Sequence, residues 1–341
     1  MQGLLDGLTH HRYTEHIDSS SLDSSVQESI HTQEAIMRFA ISIPQHVADG
    51  AFDPAKLRDY LSRAEALGFH SAWTQEAVLG SAPTLAPLEL MTFAAACTER
   101  LRLGCAVFVS PLHNPVHLAK SISTLDQLSQ GRVEVGIATG GRGRMFTAFD
   151  ADQASFVARF TEGLRLMKVC WTEPRITFAG RFWQLDDAAM EPKPFQKPYP
   201  PLWIGGSHAR AVRRALRYGT GFFGAGRSTT VQFAQQVQIL RAALAESAQG
   251  PSTFQIAKRV YIVIDDDEAR AKARVDAGLK SIYGVSGLTT IAVYGPPSAC
   301  IAGLREVADA GAELIQLHLL TEDTKQMERL AAEVICEIQN E

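Results

Sequence analysis

Trp203-Ile204-Gly205-Gly206-Ser207-His208-Ala209-Arg210 is a stretch whose residue types and spacing could do chemistry. A short apolar run ends in two glycines, and a serine then opens a helical pattern. Glycines let the backbone approach a ligand closely. A helix start offers unpaired N–H groups and the positive end of a dipole, which suits a phosphate. A tight strand-to-helix turn with no ligand fits the same residues equally well. Arg210, Arg213, Arg214 and Arg217 continue along one helix face, which reads as solvated outer surface with only Arg210 near the anion. A second glycine turn, Thr139-Gly140-Gly141-Arg142-Gly143-Arg144, follows another apolar run. Its arginines suit an anion or a ring-binding loop, against the alternative of an ordinary solvated loop.

Acid–base candidates are fewer. Glu76 follows the run HSAWTQ and can serve as acid, base or hydrogen-bond acceptor, or simply pair with an arginine. His46 follows the first apolar run and faces the mouth of any site built there. His318 shares an alternate face with Leu314 and Gln316, and either enters the site or is a satisfied core histidine. His113 precedes Asn114 and shapes that turn. No HxH or HExxH spacing occurs, which predicts no metal. No GxSxG elbow occurs, which argues against an α/β-hydrolase. Cys105 lies among apolar residues and reads as a structural thiol.

The elements that must position these residues alternate. Strand runs fall at 38–43, 70–75, 101–109, 132–138, 202–204, 220–224, 256–264 and 313–319, with helical periodicity between them. Asp53-Pro54 and Asn114-Pro115 are helix starts, and Gly68 is a stop. Eight such units predict an α/β fold, a (β/α)8 barrel, whose chemistry lies where strands end. A doubly wound sheet is disfavoured because IPQHVADGAFD after the first strand is not a dinucleotide turn. The Pro-rich stretch 173–201 cannot be one helix. It is expected as an insertion between the fourth helix and fifth strand, with a hairpin at ITFAG-RFWQL. The Gly-rich stretch 283–296 is expected as a loop, and both segments are candidate lids. Residues 1–36 are Ser-rich and lack apolar periodicity; they are expected as a flexible extension, with the barrel occupying 37–341.

Composition narrows the class. The 341 residues carry 33 Lys+Arg against 37 Asp+Glu, a net charge of −4, which disfavours a general nucleic-acid or anionic-membrane surface. Hydrophobic residues are 46%, enough for a sizeable core. No apolar run reaches membrane-spanning length, and no signal pattern opens the chain, so a cytoplasmic location is expected. The five cysteines are scattered and predict no disulfide framework.

AAACTERLRLGCAVFVSPLHNPVHLAKSISTLDQLSQGRVEVGIATGG, followed later by PPLWIGGSHARAVRRALRYGTGF, resembles the bacterial luciferase-like, flavin-dependent oxidoreductases. The resemblance runs from about Met37 to the C-terminal helix. It implies a cofactor lying across the barrel mouth. It places a non-proline cis peptide around Ala106-Val107-Phe108, a loop beside the ring at Thr139 and Gly140, and a phosphate-side turn at Gly205, Gly206 and Ser207. Arg144 joins the anion contacts. Trp73, Phe108 and Phe146 are candidate apolar walls. The chain departs from the family at two points: Ala77 stands where many members have a histidine, and Gly141 where the deazaflavin sugar dehydrogenases have a glutamate. An acid would then come from Glu76, His46 or His318.

The resemblance leaves two cofactors open, reduced flavin mononucleotide (FMN) and the deazaflavin coenzyme F420. Reduced flavin reacts with dioxygen, giving a monooxygenase acting on a small organic substrate and fed by a separate flavin reductase. Deazaflavin passes hydride instead. A flavin-binding protein without turnover is a third reading. A homodimer is the family habit.

Overall fold

The period-two apolar runs become strands, and the proline-led segments become helices. The computed structural model describes residues 37–46, 52–80, 83–140, 148–149, 152–246, 254–321 and 324–340. The expected 1–36 extension lies outside the described residues, as do Gly141, Arg142, Arg144 and Phe146. In chain order the strands are β1 (Arg38–Ser42), β2 (Ser71–Thr74), β3 (Arg102–Val109), β4 (Val133–Ala138), β5 (Ile176–Ala179), β6 (Gln184–Ala188), β7 (Leu202–Gly206), β8 (Gly221–Gly224), β9 (Gln255–Ile264), β10 (Ala292–Gly295) and β11 (Leu314–Leu319). Eight of them close a parallel barrel in the order β1-β2-β3-β4-β7-β8-β9-β11, with β11 returning to β1. This is the (β/α)8 architecture expected from the alternation.

The helices are α1 (Pro54–Ala66), α2 (Pro87–Cys97), α3 (Pro115–Leu128), α4 (Phe156–Thr172), α5 (Ala209–Tyr218), α6 (Thr230–Ala245), α7 (Glu268–Tyr283) and α8 (Pro297–Asp309). The chain ends in α9 (Thr324–Leu330), which runs through a π-helical turn at Ala331–Ile335 into α10 (Cys336–Gln339). The Asp53 side chain caps α1 by accepting from the Ala55 N–H at 2.9 Å, and Asn114 caps α3 by accepting from Val116 at 3.0 Å. Each such cap stabilises by about 1 kcal/mol.

The barrel interior is filled below its mouth. Trp73, Trp203 and Phe223 pack there with Ala40, Ala106, Ala257 and Leu314. The two indoles meet edge to face at 6.1 Å, and Phe223 lies 4.8 Å from Trp73. This packing leaves no substrate-sized space within the plug. β3 breaks register against β4 between Cys105 and Phe108, and the Ala106–Val107 peptide bond is cis, where the resemblance places one. Gly136 on β4 makes room for this bulge, since a Cβ there would strike the Cys105 carbonyl oxygen.

The 173–201 segment lies between the fourth helix and the fifth barrel strand, and it carries the β5–β6 hairpin. Glu162 of α4 holds the hairpin turn by accepting the N–H groups of Arg181, Phe182 and Trp183 at 2.7–3.1 Å. The 283–296 stretch is not all loop. β10 pairs in parallel with the far half of β9, where that ten-residue strand outruns the four-residue β8. Glycine and threonine around β10 hide a four-residue strand signal. Among the described residues no helix is long and apolar enough to cross a membrane.

Candidate functional site

The C-terminal ends of β3, β4, β7, β8 and β9 surround a cavity of about 690 Å³. One wall is apolar, with Val107, Ala138, Phe156, Val157 and Phe223. Arg210, Arg214, Arg227 and Arg259 also line the cavity, and no carboxylate does so among the described residues. Four cations without an acid repel one another, and they suit an anionic ligand. Gly205, Gly206, Ser207 and His208 border this side, next to the start of α5. Arg214 was expected on the solvated face. It lines the cavity instead, and its buried Nε has no hydrogen-bond partner among the described residues. Burial lowers the pKa of Arg214. A groove of about 520 Å³ adjoins the cavity and shares Ser207, Ala225 and Arg227 with it.

Arg259 joins the large cavity to a small polar chamber of about 10 Å³, room for one water-sized molecule. Its Nε donates to Gln316 Oε1 at 2.9 Å and its Nη1 to Gln75 Oε1 at 2.9 Å. Nη2 donates to the carbonyl oxygen of Ala106, the residue before the cis bond. Gln75 is held in turn by Gln45, whose Oε1 accepts the Gln75 N–H at 2.6 Å. His46 and His318 both line the chamber. The Thr84 hydroxyl lies 3.0 Å from His46 Nδ1, and burial lowers the pKa of His46. His318 packs against Tyr261 with ring centroids 5.0 Å apart. Burial, then Arg259 and His46, push its pKa down to about 3. It is therefore neutral at physiological pH. The Tyr283 phenol on the cavity wall lies 2.7 Å from that of Tyr261; burial and that neighbour raise its pKa.

The structure brings together Ala106, Val107, Thr139, Gly140, Gly205, Gly206 and Ser207 around the cavity. It gathers His46 and His318 in the chamber. Glu76 borders neither space. Its Oε2 accepts the Val109 N–H at 2.6 Å, and its Oε1 lies 2.7 Å from His113 Nε2. Both oxygens brace the end of β3, so the histidine expected only to shape a turn also fixes this carboxylate. Phe108 lies in the core between sheet and helices rather than on the cavity wall. Trp73 lies in the plug and borders the chamber. Cys105 is fully buried, and burial raises its pKa. Sequence reasoning passed over Arg259, although it is a cation at the inward parity of its strand, in line with Ala257 and Val263.

Comparison with known proteins agrees with this architecture. The family described as luciferase-like monooxygenase matches residues 37–287. An F420-dependent glucose-6-phosphate dehydrogenase of Kineococcus radiotolerans is 31% identical over 233 residues, 65% of this chain and 67% of the relative. An FMNH(2)-dependent dimethylsulfone monooxygenase of Pseudomonas putida is 29% identical over 52% of this chain and 48% of the relative, so the chain spans only about half of that protein. The crystal structure of monooxygenase RslO1 from Streptomyces bottropensis superposes with a TM-score of 0.78 at 21% identity, covering 88% of this chain and 99% of the other. Sequence and fold together make this chain a member of the luciferase-like monooxygenase family of oxidoreductases.

Proposed function

We propose that the protein is a monooxygenase that uses reduced FMN, supplied by a separate reductase, and dioxygen on a small organic substrate. The observation that carries the reading is the carboxylate-free cavity with its four arginines at the barrel mouth. The partnerless Nε of Arg214 and the volume of about 690 Å³ fit a phosphorylated tricyclic cofactor. When bound, the flavin supplies the oxygen chemistry. The chain's residues do the rest. Ser207, Arg210 and Arg214 would hold the phosphate, with Arg144 as a further contact. Val107 and Ala106 would back the ring, with Thr139 and Gly140 at its edge. Arg259, tied to Gln75 and Gln316, would place a fixed cation beside the reacting atoms. The apolar wall excludes water from them.

The acid–base groups favour oxygenation over alcohol oxidation. Removing hydride from an alcohol also requires a base for the hydroxyl proton. Neither space offers a carboxylate among the described residues, and burial weakens both chamber histidines as bases, lowering His46 and pushing His318 down to about 3. Glu76 is committed to β3 and, on this reading, acts by positioning. His46 and His318 would serve as hydrogen-bonding groups toward substrate.

A second reading has one observation in its favour. The 520 Å³ groove beyond the phosphate side gives room for a longer cofactor tail, as in coenzyme F420. Fluorescence titration with FMN and with F420, each oxidised and reduced, separates the two. Tight binding of reduced FMN, followed by substrate-dependent oxygen consumption, supports the monooxygenase. Tight binding of F420 alone replaces it with hydride transfer, and binding of neither removes the catalytic reading.

A further inference from the structure

Lys258 lies on β9 beside Arg259 but points to the opposite side of the strand. It is 2% exposed, and no carboxylate pairs with it among the described residues. A buried cation without a counter-ion is costly, so the bonds it does make define its role. Its Nζ donates to the carbonyl oxygens of Ala225 at 2.6 Å and Ser228 at 2.9 Å. Those residues bound a tight turn closed by Ser228 N–H on the Ala225 carbonyl at 3.1 Å.

The peptide unit is planar and trans, so its C=O and N–H point in opposite directions. With the Ala225 oxygen drawn down to Lys258, the Gly226 N–H points the other way. Gly226 lines the cavity, and its N–H makes no hydrogen bond among the described residues. Arg227 follows on the same wall, its guanidinium 5.3 Å from the Tyr283 ring centroid. The turn is also pinned from within: a Cβ at Gly226 would meet Arg259 Cδ and Tyr261 Cε2 at 2.8 Å.

We propose that Lys258 is a positioning residue for the cofactor's phosphate, fixing the 225–228 turn so that the Gly226 N–H and the Arg227 side chain face the anion. The inference rests on the reading that the cavity holds a phosphorylated cofactor.

Lys258→Met keeps the side chain's approximate length and removes both hydrogen bonds. Affinities of wild type and variant for FMN and for riboflavin, which lacks the phosphate, test the role by fluorescence quenching at pH 7. The expected result is an FMN affinity about tenfold lower with riboflavin unchanged, the scale of one charge-assisted hydrogen bond. Equal losses for both ligands, or no loss, overturn the assignment. F420 and its phosphate-free deazaflavin core form the equivalent pair for the other cofactor. Wild-type protein that binds none of the four overturns the cofactor reading and this inference together.

A second variant covers the case in which Lys258→Met does not fold. The Arg227 side chain is exposed and leaves the core untouched. Arg227→Met should lower FMN affinity about tenfold with riboflavin unchanged, and an unchanged preference for FMN overturns the proposal.

Discussion

The two ends of the barrel spend charge in opposite ways. At the N-terminal floor the chain meets charge with its own groups. Glu134 pairs with Arg102 and accepts the Trp203 indole N–H at 2.6 Å. Arg132 donates to the carbonyl oxygens of Ala95, Leu101 and Ser129 and to the Thr98 hydroxyl, all within 3.0 Å. Glu65 accepts three successive N–H groups, those of Glu99, Arg100 and Leu101. At the C-terminal mouth four arginines stand with no acid opposite. The floor is satisfied by the chain itself, and the cations of the mouth are not met by acids among the described residues. The contrast follows the usual division of a (β/α)8 barrel into a stability face and a catalytic face.

Substitutions at the two ends should therefore separate stability from binding. The largest effect is expected at the floor. Glu134→Ala takes the carboxylate from Arg102 and leaves the buried Trp203 indole N–H unpaired, which should cost about 3 kcal/mol of stability in urea titrations, while the folded fraction keeps its affinity for FMN. At the mouth, Arg259→Met should lower turnover about 100-fold, the scale of losing one preorganised electrostatic donor, with phosphate-dependent affinity unchanged. Arg214→Met should weaken FMN about 10- to 100-fold, as for a charge-assisted hydrogen bond, and leave riboflavin binding and the urea midpoint where they were. A fall in urea midpoint for Arg214→Met comparable to that of Glu134→Ala would break the contrast.

The smallest effect is a pH dependence. His318 is pushed down to about 3 in the folded chain, against an ordinary value near 6.5. Between those values the unfolded chain takes up the proton and the folded chain does not, so stability is lost as pH falls from about 6.5 toward 3. His318→Asn should remove this contribution, about 1–2 kcal/mol at pH 5 after allowance for its part exposure, with no change at pH 8. The measurement is the difference in urea midpoint between the two pH values.

The floor and the frame were legible because they rest on local patterns. Alternating apolar runs gave the barrel strands, Asp53-Pro54 and Asn114-Pro115 gave helix starts, and the proline density of 173–201 marked the insertion. The glycine turn at 205–207 was legible as a strand-to-helix turn for the same reason, and it borders the cavity. Arg259 was not, because its importance comes from contacts to Gln75, Ala106 and Gln316, which are separated from it by 184, 153 and 57 residues. Glu76 is the complementary case. A carboxylate at a strand end reads as reactive until its two oxygens are seen to hold Val109 and His113. Arg214 shows the limit of helical periodicity: a stripe of arginines looks uniform in sequence, yet one member turns into the cavity.

The aromatic plug has an optical consequence. Phe223 belongs both to the cavity wall and to the plug, so Trp73 and Trp203 lie one side-chain layer beneath the ligand space. Trp171 is buried in the outer core instead. Indole emission overlaps the absorption of an isoalloxazine ring, and energy transfer over so short a path is efficient. Arrival and departure of a flavin should therefore extinguish and restore the emission of the two interior tryptophans, giving an unlabelled clock for cofactor exchange.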